Sequence, residues 1–217
     1  MVSTALANKY LQKLENLINT NEYLEQAWLD ILDSQALVDL LYSRTLNDIK
    51  IDWGATRATF IFDKDYVLKV DLDNTNSDNI LYNEQELYNW EGLEGTTIEK
   101  AFCPIEFLGE VKDRKVYIMP YVMVSPTTIE DKTLNSYKII NNIPPDEDED
   151  ELIDTFSVEV GWDTDFIYYL FYEVYGEVFA TKLINTLDRY GINDIHSGNV
   201  GIDTKTGNPI IFDYAGY

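Results

Sequence analysis

Apolar residues recur at helical spacing near the start of the chain and at alternating spacing in its middle. Tyr10, Leu14, Leu17 and Ile18 share one face of a first predicted helix. Leu24, Trp28, Ile31 and Leu32 share a face of a second, which continues to Leu37, Leu40 and Leu41, with Asn21 as the break or cap between them. From Thr56 the period shortens to two. Thr56–Phe62 and Tyr66–Leu72 predict a hairpin turning at Asp63-Lys64-Asp65. A loop over Asp71–Asn79 and a short helix over about Ser77–Leu93 come next. Pro104–Glu110 and Lys115–Val122 then predict a second hairpin, turning at Lys112-Asp113-Arg114. After Pro126 the pattern predicts a polar connector through Pro144-Pro145, an acidic run, and one long helix. That helix carries Ile167, Leu170, Phe171, Val174 and Val178 on one side and ends at a Gly191 cap. A last hairpin pairs Val200–Ile202 with Ile210–Phe212. Strands, one helix, more strands and then helix make an α+β chain.

Composition narrows the class. A chain of 217 residues can hold one domain with a real core, or two small lobes. With 45% hydrophobic residues, 16 Tyr and 9 Phe, it folds rather than staying disordered. No apolar run reaches the length of a membrane span, and the start, Met1-Val2-Ser3-Thr4-Ala5, lacks a basic and apolar leader, so the expected location is the cytoplasm and no membrane is involved. Cys103, the single cysteine, reads as a buried thiol. The formal charge of −23 argues against direct binding to nucleic-acid phosphates. Its distribution is uneven. From Ile139 to Thr181 there are twelve acids and no Lys or Arg, including Asp146 to Glu151 without a break. Such runs are commonly solvated loops; the sharper expectation is a surface for a basic partner protein through 139–181, imitating DNA in charge.

Candidate chemistry concentrates in the tail. Asp194 is followed five positions later by Asn199 and fourteen beyond that by Asp213, all on turns around the last hairpin. One carboxylate to orient an attacking hydroxyl, with an amide and a carboxylate to hold magnesium against a triphosphate, is what phosphoryl transfer requires. Upstream, Lys69 sits in mid-strand within Val67-Leu68-Lys69-Val70, where its ammonium must find a partner or reach water. The helix Asn83-Glu84-Gln85-Glu86-Leu87-Tyr88-Asn89-Trp90 can supply that partner. Glu84 is preferred, because it leaves Leu87 and Trp90 to face the core; Glu86 is the reserve.

Together these segments resemble the protein-kinase-like fold. Val67-Leu68-Lys69-Val70 is similar to the Val-Ala-Ile-Lys strand, Gly54-Ala55-Thr56-Arg57 takes the place of the glycine-rich loop, and Phe212-Asp213-Tyr214-Ala215-Gly216 that of the Asp-Phe-Gly turn. The resemblance implies a minimal bilobal fold: an N-terminal helical extension (1–50), an antiparallel N-lobe sheet with one helix (51–122) and a small helical C-lobe (123–217). It implies ATP and magnesium as cofactors, bound in the cleft between lobes. Asp194, Lys69 and Glu84 would be catalytic, and Asn199 and Asp213 would hold metal. Gly54, Thr56, Lys69, Met119, Tyr121 and Val122 would bind the nucleotide, the last three as the hinge along the adenine. His196 stands where aminoglycoside and choline kinases carry a histidine (Asp-x-His-x-x-Asn), and reads as a satisfied loop residue. The pattern departs from the family at Ile192, which replaces the residue opening the catalytic loop, and in its single loop glycine. Four residues follow Asp213, so the platform for a substrate peptide is expected to be missing. Compact kinase-like chains of this kind look like those of bacteriophages. The residues leave three alternatives. One is a phosphotransferase. The second is an inactive pseudokinase-like module that inhibits a basic-surfaced host protein. The third is an unrelated α+β protein using these residues as turn chemistry.

Overall fold

The computed structural model describes residues 2–28, 45–46, 49–53, 57–71, 82–193 and 195–215. The fold is mixed, with helices and two antiparallel sheets. It divides into two compact units, Met1–Leu87 with Pro104–Tyr121, and Tyr88–Cys103 with Val122–Tyr217.

The first unit begins with α1 (Thr4–Thr20) and α2 (Glu22–Trp28). Asn21 serves both helices. Its N–H bonds Ile18 O to close α1, and its side chain accepts from Leu24 N to open α2. The sheet contains β1 (Thr45–Leu46), β2 (Ile49–Trp53), β3 (Arg57–Ile61), β4 (Tyr66–Asp71), β5 (Glu106–Val111) and β6 (Arg114–Pro120), in the order β1-β2-β3-β4-β6-β5. Strands before Thr56 were not expected from the sequence. The β5–β6 turn takes positive φ at Lys112 and Asp113, as a two-residue hairpin requires.

Strand alternation gives this sheet two chemically different faces. Ala58, Phe60, Leu68, Val70, Val116 and Ile118 pack with Tyr10, Leu14, Leu17, Ile18, Leu24 and Trp28 in one apolar cluster. Each large side chain there contributes about 1.5–3 kcal/mol on burial. Polar ties stitch the helices to the sheet: Tyr10 Oη donates to Asp63 (2.6 Å), Trp28 Nε1 to Val111 O (3.2 Å), and Arg114 Nε to Trp28 O (2.9 Å). The intervening residues of β3, β4 and β6, among them Arg57, Lys69, Asp71 and Tyr117, therefore lie on the other face. The N-terminal half of α3 (Tyr82–Leu93) bonds to that face through Lys69 and Asp71.

The second unit holds a three-stranded sheet, β7 (Val122–Met123), β8 (Val200–Asp203) and β9 (Pro209–Ile211), in that order. With it are α4 (Pro126–Asn141), α5 (Glu149–Glu159), α6 (Phe166–Tyr175) and α7 (Glu177–Tyr190). Two expectations are corrected here. The polar connector after Pro126 is the helix α4, whose buried face mixes Thr133 and Ser136 with Ile129, Leu134 and Tyr137, blurring its apolar stripe. The single long helix is two, broken at Gly176 with φ 80° and ψ 173°, a backbone that L side chains rarely adopt. Past that break the stripe no longer points inward, and Val178 is 85% exposed. The Gly191 cap is left-handed, as expected. The acidic run opens α5: Asp148 caps it by accepting from Asp150 N and Glu151 N, and Glu149, Asp150 and Glu151 occupy the first turn, where the helix dipole favours negative charge.

Candidate functional site

In the first unit the mid-strand lysine finds its partner. Lys69 is 5% exposed, and its Nζ lies 2.7 and 3.0 Å from the two carboxylate oxygens of Glu86, which is fully buried. Glu86, not Glu84, is therefore the lysine's partner. Glu84 pairs with Lys115 at the rim of the same unit. The cause lies in α3, whose buried residues are Asn83, Glu86, Asn89 and Leu93. Its buried stripe is mostly polar, whereas Leu87 and Trp90, assigned to the core from the sequence, are only half-buried. Two residues away on an α-helix is about 200° of rotation, so Glu84 cannot share the face of Glu86.

Two further residues join this pair that sequence reasoning did not assign. Arg57 brings Nη1 to 3.4 Å from Glu86 Oε2, so two cations share one carboxylate. Asp71, two residues after Lys69 and hence on the same face of β4, accepts Asn83 N–H at 3.0 Å and is 7% exposed. Burial pushes its carboxyl up from 3.8 to about 6; the Asn83 N–H and Arg57 pull it down, while Glu86 and Glu84 raise it further. Burial, followed by the Glu84 and Asp71 carboxylates, also raises the Tyr117 phenol, which lies opposite Lys69 in the register. The Asn83 side-chain amide is buried and has no hydrogen-bond partner among the described residues. A regular alternation in β3 and β4 could have pointed to Arg57 and Asp71, since each lies on the Lys69 face.

Gly54 and Thr56, expected to meet phosphates, lie outside the described residues. Of the residues expected to line the adenine, Met119 is buried on β6 opposite Val67. The Tyr121 N–H is already bonded to Asp65 O at 2.9 Å, and Pro120 has no N–H, so neither has an amide donor to offer a ligand. Val122 starts β7, opposite Asp203.

In the second unit two loops meet. A 3-10 turn, Ser197–Asn199, leads into β8, and Asn199 O accepts Phe212 N–H at 3.0 Å, which sets the backbone of Asn199 beside the segment carrying Asp213. That segment is pinned further on. Asn89 Nδ2 donates to Tyr214 O (2.8 Å) and Ala215 O (3.2 Å), and Tyr214 Oη donates to Cys103 O (2.6 Å). Tyr214 also meets Phe102 edge-on at 5.2 Å. The tyrosine that departs from the Asp-Phe-Gly pattern is thus a buried anchor. Cys103 is buried, as expected. His196 Nδ1 accepts Gly198 N–H at 3.0 Å and caps the 3-10 turn, a satisfied loop role. Asp194 lies outside the described residues; its neighbours Ile192 and Ile195 are buried.

Asn199 and Asp213 offer oxygen donors, the kind magnesium takes, and a magnesium held against phosphates needs only one or two protein oxygens. Among the described residues no three Asp, Glu, His or Cys side chains gather in a metal-binding group. No described helix is long and apolar enough to cross a membrane.

No protein-family model matches the chain, and no curated protein matches it. Among solved structures it is similar to WbdD crystallised with a kinase inhibitor, at 14% identity and a TM-score of 0.33, over 76% of this chain and 32% of that one. A second match is the bifunctional kinase-methyltransferase WbdD, at 15% identity and a TM-score of 0.30, over 74% and 29% of the two chains. The chain spans about a third of the length of the proteins it matches.

Proposed function

We propose that this is a kinase-like protein that binds ATP with magnesium and transfers the terminal phosphoryl group to a hydroxyl. The observation that carries the reading is the buried pair of Lys69 on β4 and Glu86 on α3. Burying an ion pair seldom adds stability over a well-packed apolar pair, so its presence calls for another reason. Positioning a lysine on a strand by a helix glutamate, so that its ammonium can hold phosphates, is such a reason and is a requirement of kinase chemistry. Lys69 is then the phosphate-binding amine and Glu86 its positioning residue. Asn199 and Asp213 are the metal-holding oxygens, and magnesium supplies charge neutralisation for the triphosphate. Asp194 orients the acceptor hydroxyl and takes its proton as the new P–O bond forms and ADP departs. Little covalent chemistry falls to the protein; its contribution is placement and fixed charge.

Within 139–181, the region expected to meet a basic partner, Asp148 to Glu151 also cap α5 and fill its first turn. The test of the nucleotide reading is thermal stability. ATP–magnesium at a hundredfold excess over its dissociation constant stabilises the fold by about 2.7 kcal/mol. The gain is expected to vanish in Lys69→Met and in Asp213→Asn. An unshifted melt of the native protein refutes the proposal.

A further inference from the structure

We propose that Asp71 is a positioning residue that pins the first turn of α3 to β4 and thereby sets where Glu86 stands relative to Lys69. The geometry is a clamp of two points. One strand supplies Lys69 and Asp71, two residues apart and on one face; one helix supplies Glu86 and the Asn83 N–H, three residues apart and on one face. Lys69–Glu86 closes one point and Asp71–Asn83 the other, 3.0 Å from Oδ1 to N. The Asp71–Asn83 bond adds a second point on β4 to the ion pair, beside the exposed Glu84–Lys115 pair on β6, and so ties the first turn of α3 to the strand that carries Lys69. The strand end is held in turn, since Arg114 Nη1 donates to Asp71 O at 3.3 Å.

The groups around Asp71 make its ionised form the tighter latch. The residue opposite on β3 is Arg57, and β6 contributes Arg114, Lys115 and Tyr117; from α3 come the Asn83 N–H and the carboxylates of Glu84 and Glu86, of which Glu84 is occupied by Lys115. An ionised acceptor at a helix N-terminus forms a stronger bond than a neutral one and also meets the positive end of the helix dipole. Asp71 is nevertheless buried, which opposes its charge. A carboxylate held at that cost, beside a lysine–glutamate pair, fits a part kept for placement more than for stability.

The functional meaning of the clamp rests on the nucleotide reading, but its test does not need nucleotide. Two signals are followed by NMR in the full-length protein: exchange of the Asn83 amide and the Lys69 Nζ resonance. In Asp71→Ala the Asn83 amide is expected to exchange about tenfold faster, as for one lost hydrogen bond, and the Lys69 signal to move toward its position in Glu86→Gln. Asp71→Asn, which keeps an acceptor oxygen, restores the Asn83 protection. Unchanged Asn83 exchange and Lys69 signal in a folded Asp71→Ala protein overturn the proposal, as does an Asp71→Asn protein indistinguishable from Asp71→Ala. Should Asp71→Ala not fold, the native protein decides. Lys69 Nζ and the Asn83 amide shift together through one common midpoint, raised above the ordinary carboxylate range, or the clamp is wrong. Failure of the nucleotide reading is seen separately, as absence of ATP binding by the native chain.

Discussion

Replacing Glu86 by alanine takes away the carboxylate that Lys69 approaches at 2.7 Å and Arg57 at 3.4 Å. Glu86 is fully buried and Lys69 is 5% exposed, so neither water nor a surface counter-ion can easily take over. Breaking a buried pair by removing one member costs about 3–5 kcal/mol, most of it from the charge left behind. A chain of this size loses about 2–4 °C in melting temperature per kcal/mol, so the expected fall is about 6–20 °C. Glu84→Ala is the internal control. Its pair with Lys115 is 40–44% exposed on both sides, and such pairs contribute about 0–1 kcal/mol. Lys69→Met combined with Glu86→Leu removes the amine along with the carboxylate and should recover part of the loss, while Arg57 still loses this carboxylate. Calorimetric melts of the three variants beside the native protein make the comparison. A Glu86→Ala melt within about 2 °C of Glu84→Ala would show that Glu86 does not neutralise buried charge, and the choice of Glu86 over Glu84 would lose its energetic basis.

Three further outcomes follow from the packing. Asp71 has a folded-state value raised from 3.8 to about 6, so its favourable contribution is present below pH 3.8 and is lost as pH rises through about 6. Asp71→Asn should thus be stabilising relative to the native protein at pH 7 by up to about 3 kcal/mol more than at pH 4, in paired urea titrations; an equal difference at the two pH values refutes it. Asn89→Ala leaves the Tyr214 and Ala215 carbonyls without their amide donor and should destabilise by about 1–3 kcal/mol, with faster exchange around Asp213; unchanged exchange there would mean that Asn89 does not hold the segment. Gly201→Ala places a Cβ 2.3 Å from Val122 Cγ1 and 2.9 Å from Met123 O, forcing β7 from β8 at about 1–3 kcal/mol; a variant as stable as the native protein would contradict that close approach.

Wherever burial follows apolarity, the chain can be read directly. Tyr10, Leu14, Leu17 and Ile18 are all buried on α1, and all three predicted hairpins form, because each element puts one apolar face against a core. The strand lysine was legible for the opposite reason, an amine in an apolar run that required a partner. The partner itself was not. Choosing Glu84 assumed that α3 turns Leu87 and Trp90 inward, whereas it buries Asn83, Glu86 and Asn89, and periodicity scores such a stripe as solvent-facing. Arg57 and Asp71 escaped notice, although alternation along the predicted β3–β4 hairpin puts both on the Lys69 face, because charged residues at strand ends read as solvent-facing. The break at Gly176 was hidden by the apolar residues on either side, and α4 by its buried Thr133 and Ser136.

Manganese–ATP offers the most direct trial of the central claim, since the bound ion broadens nearby resonances in proportion to proximity. With nucleotide present, signals of Asn199, Asp213 and Lys69 should be lost first, and Asp213→Asn should abolish the effect. Broadening that is the same without ATP, or that falls on the Asp146 to Glu151 run while Lys69 stays sharp, would contradict the account.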